Sequence, residues 1–214
     1  SVASWSENAG GSMGMPPSTD MTVYEYDPAI YSGTESSCVG TVGVVFIGRR
    51  GQEGDDLWAF PYLNSGAEHE LQLTSYEKET IAFAKANCDK VVAICNFSNI
   101  MEIGELKDDS GINAILWIGN PAAKGLEAMS EIMVGDVNPS GRTVDVWLRD
   151  ITADPAHINV MNGTYANADM VSKNYYEYEE GIYMGYRYYE TAAAEAANGN
   201  YAGFDYDKEV VYPF

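Results

Sequence analysis

KVVAICN, residues 90–96, is a nearly uninterrupted apolar run, without alternation between apolar and polar positions. Two similar runs stand on either side of it along the chain, TVGVVFI at 41–47 and INAILWI at 112–118. Runs of this length without alternation are typical of strands buried on both faces of a parallel sheet. The three runs therefore predict the central strands of such a sheet.

The segments that connect these runs carry helix signals. In LTSYEKETIAFAKAN, residues 73–87, Thr74 at the N-cap and Glu77 three residues later form a capping box. The helix that follows can place four residues on one face: Tyr76, Thr80, Ile81 and Ala84. SNIMEIGELKDDSG, residues 98–111, is long enough for a short helix between the second strand and the third.

A further helix is predicted after the third strand, in AAKGLEAMSEIMVG at residues 122–135. Gly135 suits the left-handed position that commonly ends a helix. The apolar residues expected to point inward are Leu126, Met129, Ile132 and Met133.

Alternating strands and helices predict an α/β fold, a layered sandwich in which helices flank a mostly parallel β-sheet. Residues 1–41 are rich in Gly, Ser, Met, Pro and Thr and predict an irregular N-terminal segment. The α/β domain is accordingly expected over residues 42–214.

Composition excludes several classes of function. The chain has 214 residues, 46% of them hydrophobic, which suffices for a substantial core. A formal charge of -20 with only 12 Lys and Arg argues against nucleic acid and anionic membranes as partners. No apolar run approaches the ~20 residues of a transmembrane helix. SVASWSENAGG lacks the pattern of a signal peptide, so we expect a soluble protein and leave cytoplasmic and secreted locations open.

The three cysteines, Cys38, Cys88 and Cys95, form no CxxC pair, and the two histidines lie far from them in sequence. We therefore expect no zinc or other metal site. An odd cysteine count predicts no disulfide framework, and we expect all three to have structural roles.

Polar residues follow each predicted strand. Arg49 and Glu53 come after the first, Asn96 after the second and Asn120 after the third. Ligands of open parallel sheets bind outside the carboxyl ends of the strands, so these residues predict a site at one edge. The alternative is a glycine-rich surface turn whose acids are merely solvated, and the pattern alone leaves both open.

The connection from Gly54 to Leu73 spans about 20 residues without evident secondary structure, which in a compact domain favours a binding loop. It carries four rings: Trp58, Phe60, Tyr62 and His69. Aromatic faces can stack on sugar rings, but the same residues can equally cover the end of the core.

Four ordered blocks resemble glycoside hydrolase family 3 in its α/β sandwich domain. They are RRGQEGDDL (49–57), LQLTSYEKETIAFAKANCDKVVAICNFSNIMEIGEL (71–106), AILWIGNPAAKGLEAMSEIMVGDVNPSGRTVDVW (114–147) and YYEYEEGIYMGYRYYE (175–190). The resemblance covers residues 42–214. The family's first sandwich strand and its TIM-like barrel have no counterpart here, so the resemblance implies a sandwich of the (α/β)6 type that is incomplete on its N-terminal side.

The resemblance also implies an active-site role for the first block. The family's R-x-x-G-E-G-x-D-R pattern falls on Arg49, Gln52, Glu53, Gly54, Asp56 and Leu57, where Gln52 and Leu57 replace the common Gly and Arg. Glu53 thereby takes the position of the catalytic acid/base. The residues expected to bind substrate are Arg49, Asp56, Trp58 and Asn96. No cofactor is implied, because the reaction uses two carboxyl groups.

Members of this family are mostly exo-acting retaining β-glycosidases. The resemblance implies the acid/base domain of such a hydrolase, with a β-linked oligosaccharide or glucoside as substrate and the barrel of the same polypeptide as partner. A β-glucosidase is expected first and a β-xylosidase second. Without the barrel's Asp nucleophile this chain alone is expected to be inactive. A noncatalytic module that binds sugar or a partner protein remains the alternative from another class.

The remaining motifs favour structural roles. GDVNPSGR (135–142) has the residue types of a turn. YYEYEEGIYMGYRYYE is interpreted as an extended segment that packs tyrosines over the sheet, or as a surface facing the barrel. A helix-prone or inserted tail, residues 190–209, precedes a last strand near VVYPF (210–214).

Overall fold

A computed structural model of the chain describes residues 27–49, 57, 69–159, 163–164, 174–175 and 177–213. The chain divides into two compact units. The first unit comprises Ser1–Ile100 and Glu105–Gly141, and the second comprises Met101–Gly104 and Arg142–Phe214. Each unit is described by itself below.

The first unit is built on a three-stranded parallel sheet in the order β1-β2-β3. The strands are β1 (Val42–Gly48), β2 (Lys90–Asn96) and β3 (Ala114–Trp117). The register pairs Val42 with Lys90 and ends where Gly48 meets Asn96. The three predicted strands and their parallel arrangement are confirmed, and their ends move by at most a few positions.

Helices flank this sheet. They are α1 (Glu35–Cys38), α2 (Ser75–Asn87), α3 (Gly104–Asp108) and α4 (Ala122–Val134), with a 3-10 turn at Pro28–Tyr31. The turn and α1 occupy part of the N-terminal segment that was predicted to be irregular. The short helix expected between the second and third strands is α3, and the α/β class predicted from the sequence is confirmed.

Helix α2 begins with the predicted capping box. The Glu77 N–H donates to Thr74 Oγ1 at 3.2 Å, and the Thr74 N–H donates to Glu77 Oε2 at 3.0 Å. The inward face differs from the prediction at one position, because Tyr76 is 39% exposed whereas Glu77 is buried with Ile81 and Ala84. A charged residue replaces an aromatic one on the buried face because it has a buried partner, described below.

The core of the first unit lies between α2 and the sheet. Its buried residues on the α2 side include Val45, Ile47, Val91, Ala93 and Cys95, whereas Ile94 is buried on the opposite face of β2. On the other face of β1, Val42, Val44 and Phe46 are each between 42% and 51% exposed. The strand therefore alternates between buried and exposed positions, although its sequence is apolar throughout.

Helix α4 differs from the prediction in its packing. None of its residues is buried, and Leu126 and Met133, both expected to point inward, are 43% and 36% exposed. Met129 and Ile132 are half-buried, so the apolar stripe is present but only partly covered by the described residues. The predicted C-cap is confirmed: Gly135 has φ 85° and ψ 10°, in the left-handed region.

Replacing Gly135 by alanine is expected to lower the free energy of unfolding by about 1 kcal/mol, because a Cβ is strained at positive φ. Urea unfolding followed by circular dichroism measures this change. Gly141→Ala is the matched control, since a Cβ there meets nothing within 4 Å and its φ is not in the left-handed region. Equal losses in the two variants would contradict the assignment of Gly135 as a conformational cap.

The second unit consists of short elements. Its strands form two antiparallel pairs: β4 (Trp147–Leu148) with β7 (Val210–Tyr212), and β5 (Gly163–Thr164) with β6 (Asn174–Tyr175). Its helices are α5 (Pro155–Asn159), α6 (Tyr186–Ala197) and α7 (Tyr206–Glu209), with a 3-10 turn at Ile151–Ala153. Trp147, Leu148, Tyr189, Val210 and Val211 are buried.

The interpretation of residues 175–190 as an extended segment is wrong at its carboxyl end. Helix α6 begins at Tyr186 and includes Tyr188 and Tyr189. Gly185 precedes the helix with φ 54°, a positive value that favours glycine. The strand predicted near VVYPF is confirmed as β7. Among the residues that the structure describes, no helix has the length and apolar character needed to cross a membrane.

Candidate functional site

The carboxyl ends of the three parallel strands form one edge of the first unit. Gly48, the last residue of β1, pairs with Asn96, the last residue of β2, and Cys95 pairs with Trp117 at the end of β3. The chain leaves the sheet at this edge toward each of the polar segments named above. Arg49, Asn96 and Asn120 are thus brought to the edge that the sequence predicts.

Asn96 connects the three strand ends. Its side-chain Nδ2 donates to the carbonyl oxygen of Gly119 at 2.7 Å, and its own carbonyl accepts from the Arg49 N–H at 3.4 Å. The side chain is partly exposed. Its amide oxygen has no partner among the described residues, which leaves one acceptor that can face a hydroxyl group. The predicted substrate-binding role of Asn96 stays a prediction.

The arginine that follows β1 is buried, with Arg49 only 4% exposed. Its Nη1 and Nη2 donate to the two carboxylate oxygens of Glu77 at 2.6 and 2.8 Å, a two-point ion pair. The remaining N–H groups donate to backbone carbonyls: Nε to Glu70 at 2.6 Å, Nη1 to Gly48 at 2.7 Å and Nη2 to Gln72 at 2.5 Å. All five donors of the guanidinium are used within the protein.

This arrangement favours a positioning role for Arg49. A guanidinium whose five donors are engaged has none left for a sugar, so the geometry gives no support to direct substrate binding by its side chain. Its bonds instead hold the backbone at residues 70 and 72 next to the end of β1. The long connection after β1 thus starts and ends at the same point of the sheet edge.

Glu77 has two roles, and the sequence predicts only one of them. The capping box identifies it as a helix cap, and the structure adds the buried pair with Arg49. One carboxylate oxygen, Oε2, serves both purposes, since it accepts from the Thr74 N–H and from Arg49 Nη2. A strand-end arginine followed later in the chain by a capping glutamate is only a weak indication of an ion pair, because their pairing depends on the tertiary fold.

Three predicted site residues, Glu53, Asp56 and Trp58, lie outside the residues that the structure describes. Their predicted roles as acid/base and substrate-binding residues stay predictions. The described chain on both sides of them, at Arg49 and at Glu70, lies at the carboxyl edge of the sheet.

Two further polar contacts shape the same edge. Trp117 Nε1 donates to the Phe97 carbonyl at 2.6 Å, and Asn120 Nδ2 donates to Ser98 Oγ at 3.1 Å. Ser98 and Trp117 were not singled out from the sequence. These two hydrogen bonds hold the segments after β2 and β3 side by side at the edge of the sheet.

The second unit contains a cavity of about 410 Å³, within the range of small-molecule sites. Its walls combine rings and carboxylates: Tyr183, Tyr188, Tyr201, Glu179, Glu180 and Glu195. Aromatic faces and hydroxyl-binding carboxylates are suited to a sugar. Sequence reasoning singled out the run at 175–190, which holds four of these residues, but not Glu195 or Tyr201, and it did not predict that they line one cavity.

Hydrogen bonds fix several groups of this cavity. The Tyr188 and Tyr201 hydroxyl groups lie 3.0 Å apart, and Asn200 Nδ2 donates to Glu195 Oε2 at 2.6 Å. Partial burial, followed by the hydrogen bond with Tyr201, raises the pKa of Tyr188 to about 12. The Tyr188 hydroxyl is therefore neutral at physiological pH and remains a donor.

Residues 39–186 match the family described as "Glycosyl hydrolase family 3 C-terminal domain". The chain belongs to glycoside hydrolase family 3. The match contains all of the parallel sheet and the predicted acid/base loop. The resemblance inferred from the four sequence blocks is thereby confirmed.

Relatives in this family carry the name β-glucosidase. The chain is 29% identical over 132 residues to β-glucosidase A of Butyrivibrio fibrisolvens, covering 62% of this chain and 15% of the relative. It is 27% identical over 169 residues to a β-glucosidase of Ruminococcus albus, covering 79% of this chain and 16% of the relative. This family 3 chain thus spans about a sixth of the length of these curated relatives.

Solved structures support the fold. A β-glucosidase from Paenibacillus barengoltzii aligns with a TM-score of 0.63 at 23% identity, over 89% of this chain and 17% of that one. β-Glucosidase 3B from Thermotoga neapolitana, solved in complex with glycerol, aligns with a TM-score of 0.60 at 22% identity, over 81% of this chain and 21% of that one. Both likenesses show the α/β sandwich.

Proposed function

We propose that this chain is the acid/base-carrying domain of a retaining exo-β-glycosidase of family 3. The substrate class is β-glucosides, with hydrolysis at terminal non-reducing β-D-glucosyl residues of oligosaccharides. The observation that carries the proposal is the anchoring of the Glu53-containing connection at the carboxyl edge of the sheet, where Arg49 binds the backbone on its far side. The names of the curated relatives support the choice of glucosides.

The proposed chemistry needs two carboxyl groups about 5 Å apart. Glu53 protonates the glycosidic oxygen as the bond to the anomeric carbon breaks, and an aspartate of a barrel domain in the same polypeptide attacks that carbon. Glu53 then accepts a proton from the water that releases the sugar. Its pKa must lie near neutrality for the first step, and a neighbouring carboxylate raises it in the required direction.

This division of labour makes the isolated chain inactive. The sequence contains the loop with the acid/base, while the nucleophile belongs to a domain that this chain does not match. Glu53 becomes competent when the barrel brings its aspartate close and removes water from the site. Preference for glucose over xylose also resides mainly in the barrel, so a β-xylosidase of the same family is the next candidate within this class.

A noncatalytic sugar-binding module is the second candidate, and the cavity of the second unit favours it. Tyr183 and Tyr201 are 47% and 41% exposed and offer ring faces, and Glu179, Glu180 and Glu195 offer acceptors for hydroxyl groups. Such a cavity binds a sugar without a nucleophile. Binding and turnover therefore separate the two candidates.

The deciding measurement compares the longer polypeptide with this chain alone, using 4-nitrophenyl β-D-glucoside and the corresponding β-D-xyloside. We expect the longer polypeptide to hydrolyse the glucoside with a kcat/KM at least about 10-fold above that of the xyloside, a typical penalty for a small missing group. This chain alone is expected to show no turnover above the uncatalysed rate.

Turnover by this chain alone would contradict the division between acid/base and nucleophile. A preference for the xyloside would move the assignment to a β-xylosidase. No turnover by the longer polypeptide, together with saturable binding of cellobiose to this chain by calorimetry, would support the noncatalytic module instead.

A further inference from the structure

Cys38 and Cys88, which are distant in sequence, lie at the ends of two neighbouring helices. Cys38 is the last residue of α1, and Cys88 is the C-cap residue of α2. Both side chains are partly exposed, whereas Cys95 is completely buried in β2. The sequence alone gives no reason to pair them, because their approach depends on how α1 packs.

Backbone hydrogen bonds hold the two cysteine-bearing segments together. The Gly40 N–H donates to Asp89 Oδ1 at 3.0 Å, and the Asp89 N–H donates to the Thr41 carbonyl at 3.0 Å. The Thr41 N–H in turn donates to the Cys38 carbonyl at 3.1 Å. The residues just after Cys38 are therefore bonded to the residue just after Cys88.

The position of the Cys88 sulfur is also constrained. A Cβ added at Gly43 would lie only 2.9 Å from Cys88 Sγ, so the thiol packs directly on the backbone of β1. Helix α2 fixes the Cys88 backbone, whose N–H donates to the Ala84 carbonyl at 2.8 Å. The glycine at position 43 provides the space in which this sulfur lies.

The two thiols interact with each other. Partial burial raises the pKa of the Cys38 thiol, and a hydrogen bond and the charge interaction with Cys88 raise it further, with a smaller contribution from Glu35. The raised pKa keeps the Cys38 thiol in its protonated form at neutral pH. Exchange with a disulfide proceeds through the thiolate, so it is faster at mildly alkaline pH.

We propose that Cys38 and Cys88 are a site of reversible disulfide formation that ties the end of α1 to the end of α2. The oxidant is a small-molecule disulfide such as oxidised glutathione. One cysteine thiolate attacks it and forms a mixed disulfide, and the other cysteine displaces the second thiol. The two cysteines together lose two protons and two electrons, one Sγ–Sγ bond forms, and the oxidant is reduced to two thiols.

The proposed bond closes a ring that contains β1, the connection with Glu53 and all of α2. Cross-linking distant residues reduces the conformational freedom of the unfolded chain, and the effect grows with the size of the ring. We expect the oxidised chain to unfold at a temperature roughly 5 °C or more above that of the reduced chain. Formation of this disulfide does not depend on the proposed glycosidase activity.

The test treats the purified chain with oxidised glutathione at pH 8.5, then blocks remaining thiols and maps the peptides by mass spectrometry. The expected product carries a Cys38–Cys88 linkage, has lost two hydrogen atoms in mass and holds no glutathione. A dithiol reductant reverses the linkage and the rise in Tm.

Cys95→Ala is the matched control, because burial raises the pKa of that thiol to about 12 and keeps it out of the exchange. This variant is expected to form the same linkage and to show the same rise in Tm. In Cys38→Ser and Cys88→Ser, the remaining partner is expected to retain one glutathione, and the rise in Tm is lost.

Peptide mapping of the oxidised chain without substitutions tests the proposed linkage even when a variant fails to fold. A linkage that involves Cys95, two glutathiones held separately on Cys38 and Cys88, or no reaction at either cysteine would overturn the proposal.

Discussion

Replacing Glu77 by glutamine is expected to lower the free energy of unfolding by about 3 to 5 kcal/mol, the usual cost of removing one partner from a buried ion pair. The side chains of Arg49 and Glu77 are 0% and 3% exposed, so water does not compensate the charge that remains. Glutamine has nearly the same shape and keeps an oxygen for the capping bond to Thr74. The loss thus reports mainly on the charge facing Arg49. Denaturant unfolding followed by circular dichroism measures it.

The chain contains a matched control, an exposed ion pair between α2 and α3. Lys78 and Glu105 form an ion pair at 3.1 Å, but their side chains are 42% and 66% exposed. Glu105→Gln is expected to change the free energy of unfolding by no more than about 0.5 kcal/mol, since exposed pairs are screened by solvent. A loss in Glu77→Gln as small as this would show that the buried pair is unimportant for stability.

A double-variant cycle separates the ion pair from the other bonds of each side chain. Arg49→Met removes the pair and also leaves the carbonyls of Gly48, Glu70 and Gln72 without the arginine donors. Arg49→Met combined with Glu77→Gln is expected to cost less than the two single changes added together. The difference is expected to be about 1 to 3 kcal/mol, the range for residues in direct contact.

The parallel sheet was predictable because its strands are short apolar runs with helix signals between them. KVVAICN matches β2 at both ends, and the capping box fixes the start of α2 at the residue after Thr74. These features are local, since each depends on residues within a few positions of one another. They can therefore be predicted from the sequence alone.

Packing partners were not predictable from the same patterns. Helix α4 has the apolar stripe that Leu126 and Met133 suggest, yet both residues are more than a third exposed. An amphipathic pattern shows which face of a helix favours burial, but it does not show that a partner surface is present. The same distinction applies to Val42, Val44 and Phe46 on the exposed face of β1.

The same distinction between local pattern and tertiary contact applies to the residues at the sheet edge. Parallel topology brings Arg49 and Asn96 to the same edge, as the sequence predicts. It does not reveal that the guanidinium of Arg49 is used by Glu77 and three carbonyl groups, because that pairing joins residues distant in sequence. Residue type and strand-end position therefore predicted which residues meet at the sheet edge better than the contacts that each side chain makes there.

In the longer polypeptide, Glu53→Ala is expected to lower kcat/KM for a β-D-glucoside with a poor leaving group by a factor of about 100 to 10,000, the usual contribution of a general acid. For an activated leaving group such as 2,4-dinitrophenolate, the decrease is expected to be much smaller. That leaving group departs without a proton, so the acid contributes little to breaking its bond.

Azide separates the acid/base role from substrate binding in the same variant. A small anion can occupy the space of the missing carboxylate and attack the glycosyl-enzyme intermediate without a general base. We expect azide to restore turnover and to yield β-glucosyl azide, detectable by mass spectrometry. Asp55→Asn is the matched control, because it changes a carboxylate two residues away to which no role is assigned, and its kinetics are expected to remain close to those of the parent.

Equal losses for poor and activated leaving groups, without rescue by azide, would assign Glu53 to substrate binding. A residue that only binds substrate lowers the rates for both leaving groups alike, whereas a general acid separates them. Unchanged kinetics would leave the loop after β1 without an acid/base, and the buried Arg49–Glu77 pair would then have only a structural role. A loss that depends on the leaving group, together with rescue by azide, would instead connect that pair to catalysis, because it anchors the connection that carries the proton donor.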